Sequence, residues 1–224
     1  MKKLILLLLA AFFCLTNSNA QTVNNVKVRD SLKTLLQKEK QDTSRVMLLY
    51  QIAQTYNLNK PDTAMLLASE ALSLSQRIGF VKGETSILYG IGGAYVNAGN
   101  FPKAMEFWLK ALKLNEKSNN LVGKARDLNG IGLIYRQQGD YRQAIEYFLK
   151  SIKLTKQIER KSSIAITLGN LGKSYLGLNQ YDSARVYAQQ AYDLASKNNN
   201  PRSTGISLSL MGEIYSQTAY SGPY

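Results

Sequence analysis

The sequence predicts an all-α fold of antiparallel helical hairpins, and two observations predict it. The first is a repeat with a period of forty residues, which appears in two series: Gly92, Gly132, Gly172 and Gly212, and Tyr95, Tyr135, Tyr175 and Tyr215. The second is the spacing of apolar side chains around these residues, at i, i+3, i+4 and i+7, which marks one face of an α-helix. Self-similarity over such a period is typical of repeat architectures, in which each unit buries its apolar face against its neighbours.

Each repeat contains two helical stripes. In residues 121–160, for example, Leu128 and Ile131 lie in the first stripe, and Ala144 and Phe148 lie in the second. The second stripe has the spacing i, i+4, i+7 and i+8, which again fits one face of a helix. Each repeat is therefore predicted to be a helical hairpin.

The turn inside each hairpin is marked by glycine and by residues that cap helices. Gly99–Asn100 and Gly139–Asp140 stand between the two stripes of successive repeats. Asparagine and aspartate side chains accept hydrogen bonds from the first backbone N–H groups of a helix, so we expect Asn100 and Asp140 to be N-caps. In the first repeat Pro61 stands near the start of the second helix, where a backbone N–H is not needed.

The repeated glycine lies inside the predicted first helix of each hairpin. A glycine in a helix interior costs about 1 kcal/mol relative to alanine. Its recurrence at one register therefore predicts a packing role. We expect it to face small residues of the second helix, so that the two backbones approach closely.

The patterns divide the chain into segments. A leading helix is expected near residues 27–40, within the segment 21–42. The repeats are expected over residues 43–217, as four hairpins (43–80, 81–120, 121–160 and 161–200) and an incomplete fifth (201–217), and a tail follows at 218–224.

The final helix, expected near residues 203–217, is followed by no matching second stripe in this sequence. Its own stripe consists of Leu208, Met211, Gly212 and Tyr215. We expect part of this stripe to stay exposed. Such a helix frays, pairs weakly with the same helix of a second molecule, or belongs to a chain that continues.

The first twenty residues have the layout of a secretory signal peptide. Lys2 and Lys3 precede an uncharged run from Leu4 to Leu15, and small residues lead to a cleavage site at Ala20. The run is too short to span a bilayer, which needs about twenty apolar residues. We therefore expect an exported protein that is periplasmic or extracellular after cleavage near Ala20.

Composition excludes several kinds of chemistry. The chain has no histidine, and its one cysteine, Cys14, lies in the predicted signal peptide. The mature protein is expected to lack disulfides, thiolate catalysis, the usual zinc sites and histidine acid–base chemistry. Gly172–Lys173–Ser174 is not predicted to bind phosphate, because Thr167 stands where that loop needs glycine. We expect no enzymatic activity, metal or cofactor.

The chain is strongly basic, with a formal net charge of +13. Many of the lysines recur every three or four residues on the second helices, as at Lys110, Lys113 and Lys117. This spacing predicts a solvated helix face rather than a nucleic-acid site. Export also argues against a nucleic-acid partner, whereas weak attraction to an anionic envelope surface stays open.

The repeated pattern L-x-x-[IL]-G-x-x-Y, a short turn, then [YF]-x-x-A-x-x-x-[FWA]-x-x-[AS] resembles the tetratricopeptide repeat over residues 43–217. The forty-residue period exceeds the usual length of about 34, so we expect each helix to be about 4.5 Å longer. The resemblance implies a right-handed α-solenoid and a non-enzymatic scaffold that binds a protein or peptide in a concave groove.

The N-terminal part of the chain, taken with the predicted signal peptide and the repeats, also resembles exported sensors of the Bacteroidetes type of bacterium. In those proteins such repeats precede a membrane helix and a histidine kinase or DNA-binding output module. The alternative function is therefore a sensory ectodomain fragment of a signal-transduction protein.

The resemblance also implies which residues line the groove, because first-helix positions just off the buried stripe face its concave side in that family. Carried over position by position, they are Tyr50, Gln54, Tyr89, Asn97, Arg126, Asn129, Arg136 and Lys173. Such a mixed aromatic and cationic lining suits an acidic peptide or a C-terminal carboxylate.

Overall fold

The computed structural model describes residues 25–56, 60–158 and 161–220, and in these ranges the chain is all-α, as predicted. Helix α1 covers residues 25–38. The others follow in chain order as α2 (Asp42–Tyr56), α3 (Pro61–Arg77), α4 (Val81–Asn97), α5 (Phe101–Lys117), α6 (Leu121–Gln137), α7 (Tyr141–Gln157), α8 (Lys161–Gly177), α9 (Tyr181–Lys197) and α10 (Pro201–Tyr220).

Three of the sequence predictions concern the two ends of the chain. The predicted signal peptide lies outside the described residues. The leading helix begins and ends two residues earlier than expected, and α10 extends beyond both predicted ends of the final helix. No helix in the described ranges is long and apolar enough to cross a membrane.

The forty-residue period follows from the lengths of the helices and turns. Each helix from α3 to α9 has 17 residues, and three residues separate each from the next. Two helices with their two turns thus make one period. Within each unit, consecutive helices pack against each other, which gives the predicted antiparallel hairpins.

Six of the turns share one backbone geometry. After α6, Gly139 N–H donates to the Arg136 carbonyl and Asp140 N–H donates to the Tyr135 carbonyl. This arrangement needs a residue in the left-handed region, which glycine or asparagine adopts at low cost. That position is taken by Gly79, Gly99, Asn119, Gly139, Asn179 and Asn199.

The predicted N-caps form. The side chains of Asn100 and Asp140 accept hydrogen bonds from the N–H groups of Lys103 and Gln143, at 3.2 and 3.1 Å. The sequence analysis missed two further caps, Asn120 before α6 and Asn200 before α10, whose side chains accept from the N–H groups of Gly123 and Ser203. Such caps contribute about 1 kcal/mol each.

The chain divides within α4 into two compact units. The first ends at Ile87 and the second begins at Leu88. In the first unit, the Arg45 side chain donates to the carbonyls of Leu36 and Glu39 at the end of α1. The Arg29 guanidinium lies 4.4 Å from the centre of the Tyr56 ring. These contacts connect α1 to α2.

In the second unit, the repeated glycines contact aromatic rings, so the expectation of small partners is wrong for two of them. A Cβ at Gly92 would collide with the buried Trp108 ring, and one at Gly132 would lie 2.8 Å from Phe148 Cε1. The space left by each glycine holds a large ring, which buries more apolar area than close backbone contact would. Gly172 fits the expectation in part, because an added Cβ would lie 3.3 and 3.4 Å from the backbone of Ala184 and Ala188 but 3.0 Å from Leu210 Cδ2.

Trp108 contacts glycines from two hairpins. Besides Gly92 of its own hairpin, it meets Gly130 of the next first helix, where an added Cβ would lie 2.8 Å from Cε3. Its Nε1 donates to the Tyr89 carbonyl at 2.8 Å, which satisfies the one polar group of the ring. Trp108 therefore joins two successive repeats.

A ladder of stacked rings accompanies this packing. In three successive hairpins, the repeated tyrosine stacks on an aromatic residue twelve positions later, with ring centres 5.2 to 5.5 Å apart: Tyr95 on Phe107, Tyr135 on Tyr147 and Tyr175 on Tyr187. Such offset-stacked pairs contribute about 0.5 to 1.5 kcal/mol beyond area burial. The series explains why tyrosine recurs with the glycine.

Helix α10 packs through one face and exposes another. Ser207, Leu210 and Ile214 are buried against the preceding hairpin. Leu208 and Tyr215 are 51% and 60% exposed, whereas Leu168, the equivalent of Leu208 one repeat earlier, is 6% exposed. The stripe that a second helix covers in earlier repeats is thus open here.

Gly132 and Gly212 occupy the same repeat position in opposite environments, because no atom lies within 4 Å of a Cβ added at Gly212. Gly212→Ala should leave stability unchanged or raise it by up to about 1 kcal/mol through helix propensity. Gly132→Ala must displace the buried Phe148 ring, an overpacking cost of about 1 to 3 kcal/mol. Urea unfolding followed by circular dichroism measures both, and equal effects would contradict the glycine–ring contact.

Candidate functional site

In the second unit, side chains of neighbouring first helices contact one another beside the buried stripe. The Arg126 guanidinium of α6 lies 4.4 Å from the centre of the Tyr89 ring of α4. Asn170 Nδ2 of α8 donates to Asn129 Oδ1 of α6 at 3.4 Å. We call the surface formed by Tyr89, Arg126, Asn129, Asn170, Lys173 and Arg136 the first-helix surface.

Tyr89 is held in place by the core beneath it. Its ring stacks on Trp108, with centres 5.3 Å apart and an interplanar angle of 18°. The Trp108 hydrogen bond to the Tyr89 backbone holds the same segment of α4. An ordered aromatic ring beside a cation is a pre-organised contact for a ligand, because little side-chain entropy remains to be lost on binding.

A glycine of α8 leaves space on the surface of that helix. A cavity of about 200 Å³ lies between α8 and α10, lined by Ile166, Gly169, Asn170, Lys173 and Ile206 among others. A Cβ at Gly169 would meet no atom within 4 Å. Ile166 and Ile206 are exposed. The first-helix surface therefore includes an apolar depression beside its polar groups.

A second, larger cavity lies at the C-terminal ends of α6 and α8. It has a volume of about 650 Å³ and a mainly polar lining that includes Arg136, Tyr141, Lys173 and Glu213. We call it the polar pocket. Arg136 and Lys173, which the sequence predicted for the groove from two separate repeats, therefore line one cavity.

The remaining predicted groove residues lie elsewhere. Tyr50 is buried in the core of the first unit at 9% exposure, so little of its ring is available to a ligand. Gln54, also in the first unit, is exposed, and Asn97 is exposed at the end of α4. Burial of Tyr50 follows from its place beside Leu49 and Ala53 on the packed face of α2.

A buried polar network below Arg126 was missed by the sequence analysis. Asp127 is fully buried, and its Oδ2 accepts a hydrogen bond from Asn115 Nδ2 at 2.6 Å. Asn115 Oδ1 in turn accepts from Asn120 Nδ2 at 2.8 Å. Burial raises the pKa of the Asp127 carboxyl to about 6, and the Asn115 hydrogen bond and the Arg126 charge act in the opposite direction.

Comparison of equivalent positions in the repeats indicates this network. The positions equivalent to Asp127 hold Ile87, Thr167 and Ser207, so a carboxylate replaces uncharged residues at one repeat only. Asn115 likewise stands where other repeats have Ser75, Thr155 and Ala195. A carboxylate and an amide that occur at paired buried positions in one repeat only predict a mutual contact. Comparing the repeats position by position would therefore have found them.

Two kinds of ligand site, a metal cluster and a phosphate loop, are not formed by the described residues. No group of three or more cysteine, aspartate or glutamate side chains in the described ranges could hold a metal ion. Gly172–Lys173–Ser174 lies inside α8, where the Ser174 hydroxyl donates to the Asn170 carbonyl. Backbone N–H groups inside a helix are already paired, so they do not form a phosphate loop.

Two family models, each described as tetratricopeptide repeat, match residues 84–157 and 164–202, together just over half of the chain. The chain belongs to the tetratricopeptide repeat family. No curated protein matches this tetratricopeptide repeat chain.

Solved structures resemble the tetratricopeptide repeat chain over most of its length. BtubC (BKLC) from P. vanneervenii is 16% identical, with a TM-score of 0.65 and coverage of 92% of this chain and 93% of that one. A Rap protein complexed with Competence and Sporulation Factor is 16% identical, with a TM-score of 0.74 and coverage of 88% and 60%. PlcR from Bacillus thuringiensis, in complex with the peptide PapR7 and DNA, is 13% identical, with a TM-score of 0.71 and coverage of 84% and 69%. Identities this low show the fold alone.

The buried carboxyl of this tetratricopeptide repeat protein predicts a pH effect. Because its folded-state pKa is about 6 and an unfolded aspartate titrates near 4, the folded state binds more protons between these values. The stability contributed by protonated Asp127 is therefore lost as the pH rises from 4 to 6.

Measured against Asp127→Asn, which does not titrate, the wild type should lose about 1 to 3 kcal/mol across this interval and stay level above it. Urea unfolding from pH 4 to pH 7 measures the difference. Asp182→Asn, at a fully exposed side chain, is the control. A flat difference for Asp127→Asn would show that the carboxyl is not desolvated.

Proposed function

We propose that the protein is a non-enzymatic scaffold that binds a peptide, or an extended segment of a protein, on the first-helix surface of its second unit. The observation that carries the proposal is a pair of contacts between neighbouring first helices, Arg126 of α6 with Tyr89 of α4 and Asn170 of α8 with Asn129 of α6, beside two cavities. A row of partly exposed aromatic, amide and cationic groups offers several weak contacts to an extended chain, without the convergent reactive groups that catalysis requires.

The solved complexes support a peptide as the class of ligand. The Rap structure contains Competence and Sporulation Factor, and the PlcR structure contains the peptide PapR7. The side chains here favour an acidic partner, because Arg126, Arg136 and Lys173 line the surface and the chain carries a net charge of +13. Positive charge on the surface would speed encounter with such a peptide and select against basic ones.

The proposal includes an exported location and a partner other than nucleic acid. The exported location rests on the signal-like residues 1–20. The exclusion of nucleic acid rests on the regular lysine spacing of the second helices. The lysine-rich faces of α5 and α7 would add weak attraction to an anionic envelope surface.

The alternative proposal is a sensory ectodomain of a membrane signal-transduction protein, in which the same surface detects a peptide and passes the signal to an output module. The two proposals share the binding step. They differ in what the natural gene encodes after Tyr224, so sequencing the DNA downstream of the last codon separates them.

Blocking the surface tests the binding step. Gly169→Glu should place a bulky anion in the depression between α8 and α10, because the space around Gly169 is open. We expect it to abolish capture of acidic peptides from a random peptide library while helical circular dichroism stays unchanged. Gly212→Glu is the matched control, since it makes the same change at an open helix position on the exposed stripe of α10.

Fluorescence polarisation with the peptides captured by the wild type gives the affinities. Peptides bound equally by the wild type and by both variants would place the binding site elsewhere. A library from which the wild type captures nothing would remove the proposed function.

We also propose weak self-association through the exposed stripe of α10. The equivalent stripes of α6 and α8 pack against second helices, and the same helix of another molecule offers a matching apolar face in a two-fold arrangement. Leu208 and Tyr215 are the large apolar residues of this stripe that are more than half exposed.

Light scattering over a concentration series should show a rising average mass for the wild type and a constant monomer mass for a Leu208→Ser, Tyr215→Ser double variant. Both side chains are more than half exposed, so the double variant should fold. A wild type that stays monomeric at all concentrations would contradict self-association.

A further inference from the structure

The first and last described helices expose complementary faces. Helix α10 occupies the place of a first helix, and the stripe that second helices cover on α6 and α8 is open on it. Helix α1 occupies the place of a second helix, because three residues separate it from α2, as three residues separate α3 from α4. We infer that α10 of one molecule packs against α1 of a second copy, so that the two helices form a hairpin between molecules.

The inference rests on the self-association proposed above and concerns the surface that meets the exposed stripe of α10. A two-fold contact between two α10 helices covers that stripe alone. A contact with α1 covers the exposed faces of both helices, and it pairs a first helix with a second helix, as the repeats do within one molecule. Such a contact is heterologous, so it joins molecules head to tail.

The burial of α1 follows the register of a second helix. Its half-buried side chains stand thirteen, nine, six and two residues before its last residue, Lys38. The buried side chains of α5 stand at the same distances before its last residue, Lys117. These equivalent positions hold Asn25, Arg29, Leu32 and Leu36 in α1, and Ala104, Trp108, Ala111 and Asn115 in α5. Helix α1 therefore packs on α2 as a second helix packs on the next first helix.

In a complete hairpin, pairs of side chains join the first helix to the second. In the hairpin of α8 and α9, Tyr175 stacks on Tyr187 with ring centres 5.2 Å apart. Leu168 and Leu194 pack in one cluster and line one cavity. On each helix seven residues separate the two members, in opposite chain directions, as antiparallel packing requires. Seven residues of a helix span about 10.5 Å, so the two pairs lie on successive turns of the contact.

The same four positions are exposed on α10 and α1. On α10 they are Leu208 and Tyr215, one repeat after the pair members of α8. On α1 they are Val28 and Leu35, which stand ten and three residues before its last residue, at the positions of the pair members in α9. Val28 is 44% exposed and Leu35 is 54% exposed. An antiparallel contact would place Tyr215 opposite Val28 and Leu208 opposite Leu35 at the same time.

The charges of the two helices favour this pairing over a contact between two α1 helices. Helix α1 contains four basic side chains and one acidic side chain, whereas α10 contains one of each. Two α1 helices would repel each other, but α10 has no net charge. One pair of helices is small beside a standard interface of about 1,600 Å². We therefore expect weak association that depends on concentration.

Crosslinking between two single-cysteine variants tests the contact. Cys14→Ser removes the one native cysteine, and Val28→Cys and Tyr215→Cys then place one thiol on each open face of the full chain. A short bismaleimide should crosslink an equal mixture of the two variants about tenfold faster than either variant alone, because the contact raises the effective concentration of the two thiols. Leu149→Cys, on the outer face of α7, replaces Val28→Cys in the control mixture.

Two crosslinking results would overturn the inference. If Tyr215→Cys crosslinks fastest with itself, two α10 helices pair, which keeps the self-association proposed above and rejects the contact with α1. Equal rates for Tyr215→Cys mixed with Val28→Cys and with Leu149→Cys would show that the thiols meet only by collision.

A charge on α1 tests the same contact without a reagent. Val28→Asp should weaken association in light scattering at least about tenfold, because the contact would bury an unpaired carboxylate. Leu149→Asp makes the same change at a similarly exposed side chain of α7 and should leave association unchanged. Circular dichroism checks the fold, and Leu35→Asp is the second variant if Val28→Asp does not fold.

The variants also separate the proposals from one another. Association that is lost in the Leu208→Ser, Tyr215→Ser double variant but kept in Val28→Asp and Leu35→Asp would reject α1 as the partner. A wild type that stays monomeric would reject both contacts of α10. Val28 and Leu35 lie in the first unit, outside the first-helix surface, so the affinity for library peptides tests the proposed function independently of either result.

Discussion

The packing of aromatic rings against glycines is the contact on which the rest of the second unit depends. Trp108 lies at 2% exposure between Gly92 and Gly130, and Phe148 lies on Gly132. Glycine has a hydrogen atom in place of a side chain. Rings from the second helices therefore reach between neighbouring first helices at these positions. This contact fixes the register of the hairpins. It also fixes the residues that remain beside the buried stripe, including Tyr89 above Trp108.

Much of the fold could be predicted from the sequence, because a repeat supplies several independent copies of the same signal. The glycine and tyrosine series fixed the period, and the side chains of Asn100 and Asp140 fixed the helix starts. The partners of the glycines could not be predicted in the same way. Alanine recurs more regularly than Trp108 or Phe148 in the second stripe, so spacing alone predicted small residues as the partners of the glycines. In the folded protein, the volume between the helices is filled by aromatic rings instead.

The candidate site was predicted less completely, since side-chain contacts between repeats depend on geometry that no single helix pattern contains. Arg126, Asn129, Arg136 and Lys173 were found because they lie just off the stripe. Tyr50 has the same position but is buried in the core of the first unit. Asp127 does not stand out within its own helix, but comparison across repeats marks it as the charged exception. The meeting of Arg136 with Lys173 in one pocket needed the structure.

The central claim is that an extended peptide lies along the first helices of the second unit. Hydrogen–deuterium exchange of the full chain, with and without a peptide captured from a random library, tests it most directly. The account predicts that protection increases in α4, α6 and α8 and that exchange along the outer faces of α5, α7 and α9 does not change. Protection centred on α5, α7 and α9, with no change in α6 and α8, would contradict it.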